Sequence, residues 1–169
     1  DAYVELEEGK HEILVRKFGW EDARGTAYVR ARTVKSVSVT LSKAEFQLKS
    51  FSASKRSFNP GYTGSLGHVV FTVSVTAPET GVFRLKKGEE EVFRADIPEF
   101  TTWEQTIKWN GRDLYGNAAQ DGEYTAEVFA GGQTLSCPVR IDDSLQYRPA
   151  ALTFAGTGVG SIPAAFILP

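Results

Sequence analysis

The residues of this chain that could carry chemistry are few, and their spacing scatters them. His11 and His68 are the only imidazoles and Cys137 is the only thiol. No His-x-x-x-His or Cys-x-x-Cys spacing offers a transition-metal site. Each histidine reads as a surface or strand-end residue rather than as a base with partners. One cysteine cannot form an internal disulfide, so it leaves the redox compartment open. Ser65, in Gly64-Ser65-Leu66-Gly67-His68, lacks the Gly-x-Ser-x-Gly spacing and the following helix of a nucleophile elbow, and reads as a loop residue. Gly156-Thr157-Gly158-Val159-Gly160-Ser161 is glycine-rich like a phosphate loop, yet has no Gly-Lys-Ser/Thr, and reads as flexible linker. Asp113, Asn117 and Asp121 carry oxygens that suit Ca²⁺, but their spacing is not that of an EF-hand and each already has a turn to build. The expectation is a chain with no catalytic, cofactor or metal site, and so not an enzyme.

The elements that would have to position any site centre on residues 107–128. Trp103, Gln105, Ile107 and Trp109 alternate with Glu104, Thr106 and Lys108, the period of a half-buried strand, which places Trp103 and Trp109 in the core. Asn110-Gly111, Gly116-Asn117 and Asp121-Gly122 then tolerate positive φ and fold the backbone back. Asp113 is expected to accept hydrogen bonds from nearby backbone N–H groups and so hold this loop without a metal. Tyr124, Ala126 and Val128 begin the outgoing strand, and Tyr124 stands where a phenol buries its ring and satisfies its hydroxyl on backbone, as in a tyrosine corner.

Composition sets the outer limits. At 169 residues, 41% hydrophobic, with 16 Gly and 7 Pro, the chain reads as turn-rich and long enough to bury a real core. A net charge of -2 gives no global reason to bind nucleic acid. Residues 1–41 carry seven acids and seven bases, and residues 42–148 fourteen acids and twelve bases, so neither region is polarised. Lys43, Lys49, Lys55 and Arg56 interleave with Phe46, Phe51 and Phe58, but strand alternation spreads them over two faces, which speaks against a nucleic-acid groove. The chain opens on Asp1 and has no Met, so it reads as a piece of something longer, in which no signal peptide can be sought.

Taken in order, residues 1–41 suggest three or four short strands. Tyr3–Leu6 leads through Glu8-Gly9 to His11–Phe18, Trp20–Gly25 reads as a turn, and Ala27–Arg32 and Val37–Leu41 follow. A boundary is expected at Ser42–Glu45. Phe46, Leu48 and Phe51 open the next strand, which changes facing near Ser50 through a bulge. Ser52–Gly67 is a long Ser-, Gly-, Asn- and Pro-rich loop of the kind that is usually functional or mobile. His68–Thr76 alternates most cleanly, Val82–Lys86 and Val92–Asp96 form a hairpin around Gly88-Glu89-Glu90, and Thr134–Ile141 carries Pro138, which argues for an edge strand. Residues 149–169 hold no charge; their glycines and Pro163 break what a spanning helix would need, about 20 unbroken apolar residues. They read either as a linker or the start of a following domain, or as an adhesive segment that adds to a sheet edge in a partner or another copy.

Trp109-Asn110-Gly111-Arg112-Asp113, Gly116-Asn117 and Asp121-Gly122-x-Tyr124 resemble the last hairpin of the immunoglobulin-like domain of the flagellar hook-capping protein. The resemblance extends to Phe58-Asn59-Pro60-Gly61, Val69–Val75 and Gly81–Leu85, about residues 45–141. Leu6-x-x-Gly9-x-His11, the apolar strand after it and Phe18-Gly19-Trp20 resemble the C-terminal part of a PEGA domain, a small β module of bacterial envelope proteins, over about residues 1–41. These resemblances imply an all-β fold: an antiparallel immunoglobulin-like β-sandwich of about seven strands at 42–148, a partial PEGA-like module at 1–41 and an extended apolar tail at 149–169. They imply a structural set of Trp109, Asn110, Gly111, Asp113, Gly116, Asp121, Gly122 and Tyr124, and an extracytoplasmic place in the periplasm, on the surface or secreted.

Two functions follow as expectations. One is a non-catalytic scaffold or assembly spacer that contacts envelope or assembly proteins, its own flanking domains, or further copies through the tail. The other is a carbohydrate-binding module for cell-wall glycan, with Trp20, Tyr62 and Tyr115 as contact aromatics. Neither calls for a cofactor.

Overall fold

The computed structural model describes residues 4–147, 149–152 and 164–167. The glycine-rich run 156–161 lies outside them, as do Phe154 and Ile162. The chain is all-β, a sandwich of two packed sheets with a hairpin arm before it. The arm pairs β1 (Gly9–Val15) with β2 (Ala23–Val29), antiparallel. One sheet of the sandwich holds β3 (Leu48–Ala53), β5 (Val69–Val75) and β8 (Glu104–Trp109) in the order β3-β5-β8. The other holds the two-residue β4 (Ser57–Phe58), β6 (Gly81–Lys87), β7 (Glu90–Ile97), β9 (Gly122–Ala130) and β10 (Gln133–Ile141), in the order β4-β10-β9-β6-β7. In the tail, β11 (Pro149–Leu152) pairs antiparallel with β12 (Ala164–Ile167). Among the described residues no helix is long and apolar enough to cross a membrane.

Alternation decides which side chains meet between the sheets. Val69, Phe71, Val73 and Val75 of β5 face Phe83 and Leu85 of β6, Tyr124, Ala126 and Val128 of β9, and Val139 and Ile141 of β10, all buried. Aromatic rings join the layers: Phe71 and Phe83 lie 5.0 Å apart, Phe51 and Phe83 6.2 Å, and Trp109 meets Tyr124 at 5.3 Å and Phe58 at 5.6 Å. Such pairs add about 0.5–1.5 kcal/mol each beyond area burial. The outward face of the larger sheet is a solvated lattice of charge, with Lys86–Glu127 at 2.7 Å and Arg140–Glu123 at 3.3 Å. Partly exposed pairs like these contribute at most about 1 kcal/mol each.

Several expectations change here. Residues 107–128 are not a hairpin, because β8 and β9 belong to different sheets; the loop between them is an arch that carries the chain across the sandwich. The cause is the inward direction of both anchors: Trp109 and Tyr124 point at each other from opposite layers. The bulge in β3 is present, as a register shift between Leu48 and Ser50. Trp103 is not in the core but 41% exposed. Phe100, fully buried and stacked on Phe46 at 6.0 Å, already closes that end, so Trp103 packs edge-on against Phe18 at 5.7 Å instead. Val4–Leu6 and Val37–Leu41 are not strands, while β2 starts at Ala23, inside the expected turn. Residues 52–67 are tied down: β4 pairs parallel with the end of β10 and Phe58 is fully buried. Pro138 sits where expected, on the part of β10 that only β9 pairs.

Trp109 should therefore dominate the core energetically. Trp109→Ala is expected to cost about 3–5 kcal/mol in urea denaturation, whereas Trp103→Ala, at a half-covered position, should cost well under half as much. Equal losses would contradict this placement of the two rings.

Candidate functional site

Of the structural residues expected at 109–124, Trp109, Gly111, Asp113, Gly116, Asp121 and Tyr124 take part in the hydrogen bonds of one arch. Trp109 donates its Nε1–H to the Arg112 carbonyl at 2.8 Å, which holds the indole and turns the backbone in the same bond. Gly111 then needs φ +74, and a Cβ there would meet the Pro60 ring at 2.8 Å; only glycine lets the arch press against the 59–61 loop. Asp113 Oδ1 accepts from the N–H groups of Tyr115 at 2.9 Å and Asn117 at 2.8 Å, and Oδ2 accepts from Asn117 Nδ2 at 3.2 Å. Asn117 returns its carbonyl to the Asp113 N–H at 2.9 Å. Partial desolvation pushes the Asp113 carboxyl upward, but the hydrogen bonds from Asn117, Tyr115 and Gly116 outweigh it and hold the carboxyl below the usual aspartate range. Across the base, Tyr124 donates its hydroxyl to the Gln120 carbonyl, four residues upstream. Burial first, and the carboxylates of Asp121, Glu90 and Asp143 second, push that hydroxyl up, so it stays a protonated donor. Lys87 ties the other side, with Nζ donating to the Asp121 carbonyl at 3.0 Å.

This arrangement consumes its own polar groups. Both Asp113 oxygens face N–H donors, which suits a carboxylate closing a turn and leaves little for an ion. Among the described residues no group of three or more His, Cys, Asp or Glu is placed to hold a metal. His68 Nδ1 donates to the Gly64 carbonyl at 2.6 Å, and His11 Nε2 to the Glu7 carbonyl at 2.7 Å; each satisfies a local turn. Ser65 lies in a short 3-10 turn at Gly64–Gly67, and its carbonyl takes Lys55 Nζ at 2.6 Å.

The expected contact aromatics are not all brought together. Trp20 lies beside the arm with Lys17 Nζ 5.1 Å from its ring, Tyr62 is half-buried against Tyr147 at 5.0 Å, and Tyr115 is 88% exposed on the arch. Trp20 stands at the arm end of the sandwich, whereas Tyr62 and Tyr115 belong to the arch end.

Sequence reasoning missed two joints at opposite ends of the sandwich. At one end Gly19 donates its N–H to the Thr76 carbonyl at 3.3 Å and accepts from the Ala44 N–H at 3.0 Å, while Trp20 bridges Lys43. Gly19 has φ +79, and a Cβ would strike Pro78 Cδ at 2.8 Å. Phe18 and Arg16, whose guanidinium sits 5.8 Å from the Trp103 ring, seat the arm on this end. At the other end a clasp takes the chain as it leaves β10. Asn59 Nδ2 donates to the carbonyls of Asp143 at 2.9 Å and Leu145 at 3.1 Å, and the Asp142 N–H bonds the Phe58 carbonyl at 3.0 Å. Ser144 donates its hydroxyl at 2.6 Å and its N–H at 3.0 Å to Asp142. That hydroxyl bond, chief among several, keeps the Asp142 carboxyl below the usual range. The signals were in the sequence, Gly19 before Trp20 and Asn59 before Pro60, but their partners lie far along the chain.

A scan of the chain against protein-family models finds no match, and neither does a comparison with curated proteins. Function is therefore read from geometry.

Two outcomes check this geometry. Because the folded-state pKa of Asp113 is depressed, its stabilising contribution is fully present above the ordinary aspartate value of about 3.9 and fades as pH falls through the lowered one. The gap in urea midpoint between the native chain and Asp113→Asn should shrink across that fall; a gap constant with pH would refute the role. Asn59→Ala should open residues 142–147 to a broad-specificity protease while costing only about 1–2 kcal/mol of global stability. Unchanged cleavage would mean that Asn59 does not hold the clasp.

Proposed function

We propose that this chain is a non-catalytic structural and protein-interaction module of a bacterial cell-envelope or secreted protein, and that it acts as a scaffold or assembly spacer. The observation that carries the reading is the placement of the two joints. The arm seats where β5 ends and β6 begins, near Thr76 and Pro78, whereas the outgoing segment leaves beside Phe58 and the arch. Chain therefore comes in at one end of the sandwich and goes out at the other, with β10 running between. From the first to the last of the nine residues of β10, a rise of about 3.3 Å per step spans roughly 26 Å. Both ends are pinned by backbone hydrogen bonds, so the body holds what precedes and follows it at a set separation.

The immunoglobulin-like, hook-capping-type resemblance of residues 45–141 fits this reading, as does the PEGA-like start of the arm, and both support a location outside the cytoplasm. Fold alone supports many functions; the pinned ends are what favour spacing. Within the arch the Asp113 carboxylate and the Tyr124 hydroxyl are engaged in its own hydrogen bonds.

The test is a crosslinking pull-down from envelope extract with chains spanning 1–148 and 1–169, copy number being read by light scattering. Capture of the same protein by both assigns the contact to the sandwich or arm. Capture by the longer chain alone assigns it to the tail. Hydrolytic or transfer activity that one side-chain substitution abolishes would overturn the reading.

A further inference from the structure

Six of the ten exposed large apolar side chains among the described residues fall in the N-terminal part: Val4, Leu6, Leu14, Tyr28, Val34 and Val37. The arm there is a sheet of only two strands, and such a sheet is marginal in water by itself. Its inner face holds Ala27, which is buried, and Val29, which is half-buried. Val37 and Val39 reach over Gly25, at 3.5 and 3.4 Å from where a Cβ would stand, and Val37 itself remains exposed. Among the described residues the outer edge of β2 pairs with nothing.

Just ahead of β1 stands a segment that reads as a strand and is not one. Val4-Glu5-Leu6-Glu7 alternates apolar with acidic, but it lies unpaired, with Val4 74% and Leu6 44% exposed. Its acidic alternation matches the edge of β2. The outward residues of β2 are Arg24, Thr26 and Tyr28, with Arg30 next in the same phase and no carboxylate among them. The outward residues of β1, Lys10, Glu12 and Leu14, are of mixed sign. A strand laid on β2 with Glu5 and Glu7 outward sets two carboxylates beside Arg24 and Arg30, and puts Val4 and Leu6 next to Ala27 and Val29. The segment's own chain cannot readily deliver it there, because Glu8 runs straight into β1, and β1 lies between the segment and that edge.

We infer that Val4–Glu8 of one copy adds as a third strand to the free β2 edge of a second copy, and that the second copy returns the same segment. The exchange is reciprocal and closed, so it makes a dimer rather than a fibre. Main-chain hydrogen bonds supply affinity and the alternating side chains supply register. With so short a strand the dimer is weak and salt-sensitive. The contact is independent of the spacer role, whose end-to-end geometry a purely monomeric chain would leave unchanged.

The experiment is sedimentation equilibrium of the full chain up to about 1 mM, with two charge-reversed variants, Glu5→Lys/Glu7→Lys and Arg24→Glu/Arg30→Glu. All four positions are exposed, and circular dichroism with urea midpoints checks that both variants fold. The native chain should dimerise, and each variant alone should associate at least about tenfold more weakly. An equal mixture of the two should recover the native affinity, because each segment then meets an edge of opposite sign. A native chain that stays monomeric overturns the inference, and so does a dimer that both reversals leave intact.

Discussion

The contact on which the rest depends is the meeting of Trp109 and Tyr124 between the two sheets. Each ring ends or begins a strand of a different layer, and each is held by a hydrogen bond to backbone of the same arch, to Arg112 and to Gln120. Burial of the rings drives the layers together. The bonds then decide which way the connecting chain turns. Remove that coupling and β8 and β9 have no reason to sit in separate sheets, because their alternation alone would serve a simple hairpin equally well.

From this constraint the two ends acquire their character. The arch presses on Pro60 through Gly111, and the same loop supplies Phe58 to the core and Asn59 to the outgoing segment. One short stretch thus serves packing, arch and clasp. The opposite end is closed by Phe100 and Phe46, which pushes Trp103 outward to become the seat of Phe18 and Arg16. An aromatic that the core had no room for joins the arm to the sandwich. Both joints are built of hydrogen bonds to backbone groups, joined at the arm by ring packing, rather than of surface ion pairs, and such contacts are little weakened by salt.

Much of this was legible in the sequence. Period-two alternation gave β5, β9 and β10 with their buried faces, the Gly88-Glu89-Glu90 turn marked β6 and β7 as a hairpin, Pro138 marked an edge, the change of facing at Ser50 marked the bulge, and the Asp113 turn chemistry was readable from local residues. What escaped was whatever depends on contacts distant in sequence. Alternation cannot say in which sheet a strand lies, so β8 and β9 read as a hairpin. It cannot say that Phe100 has taken the inner place that Trp103 would fill. Composition made residues 52–67 look like an open loop, though Phe58 inside it is a core residue whose partner, Trp109, lies far downstream. In the arm the alternation of Val4–Leu6 and Val37–Leu41 was real, but neither segment pairs in the sheet, and alternation alone cannot name a partner strand.

The central claim is that arm, sandwich and outgoing segment form one rigid body. The most direct test is the distance distribution between spin labels at Thr26→Cys and Gln146→Cys in a Cys137→Ser background, measured by pulsed electron resonance in frozen solution. Two pinned joints predict a single narrow distribution that survives a change of salt. A broad or multiple distribution would show that one joint swings freely, and a body with a free joint cannot set a spacing.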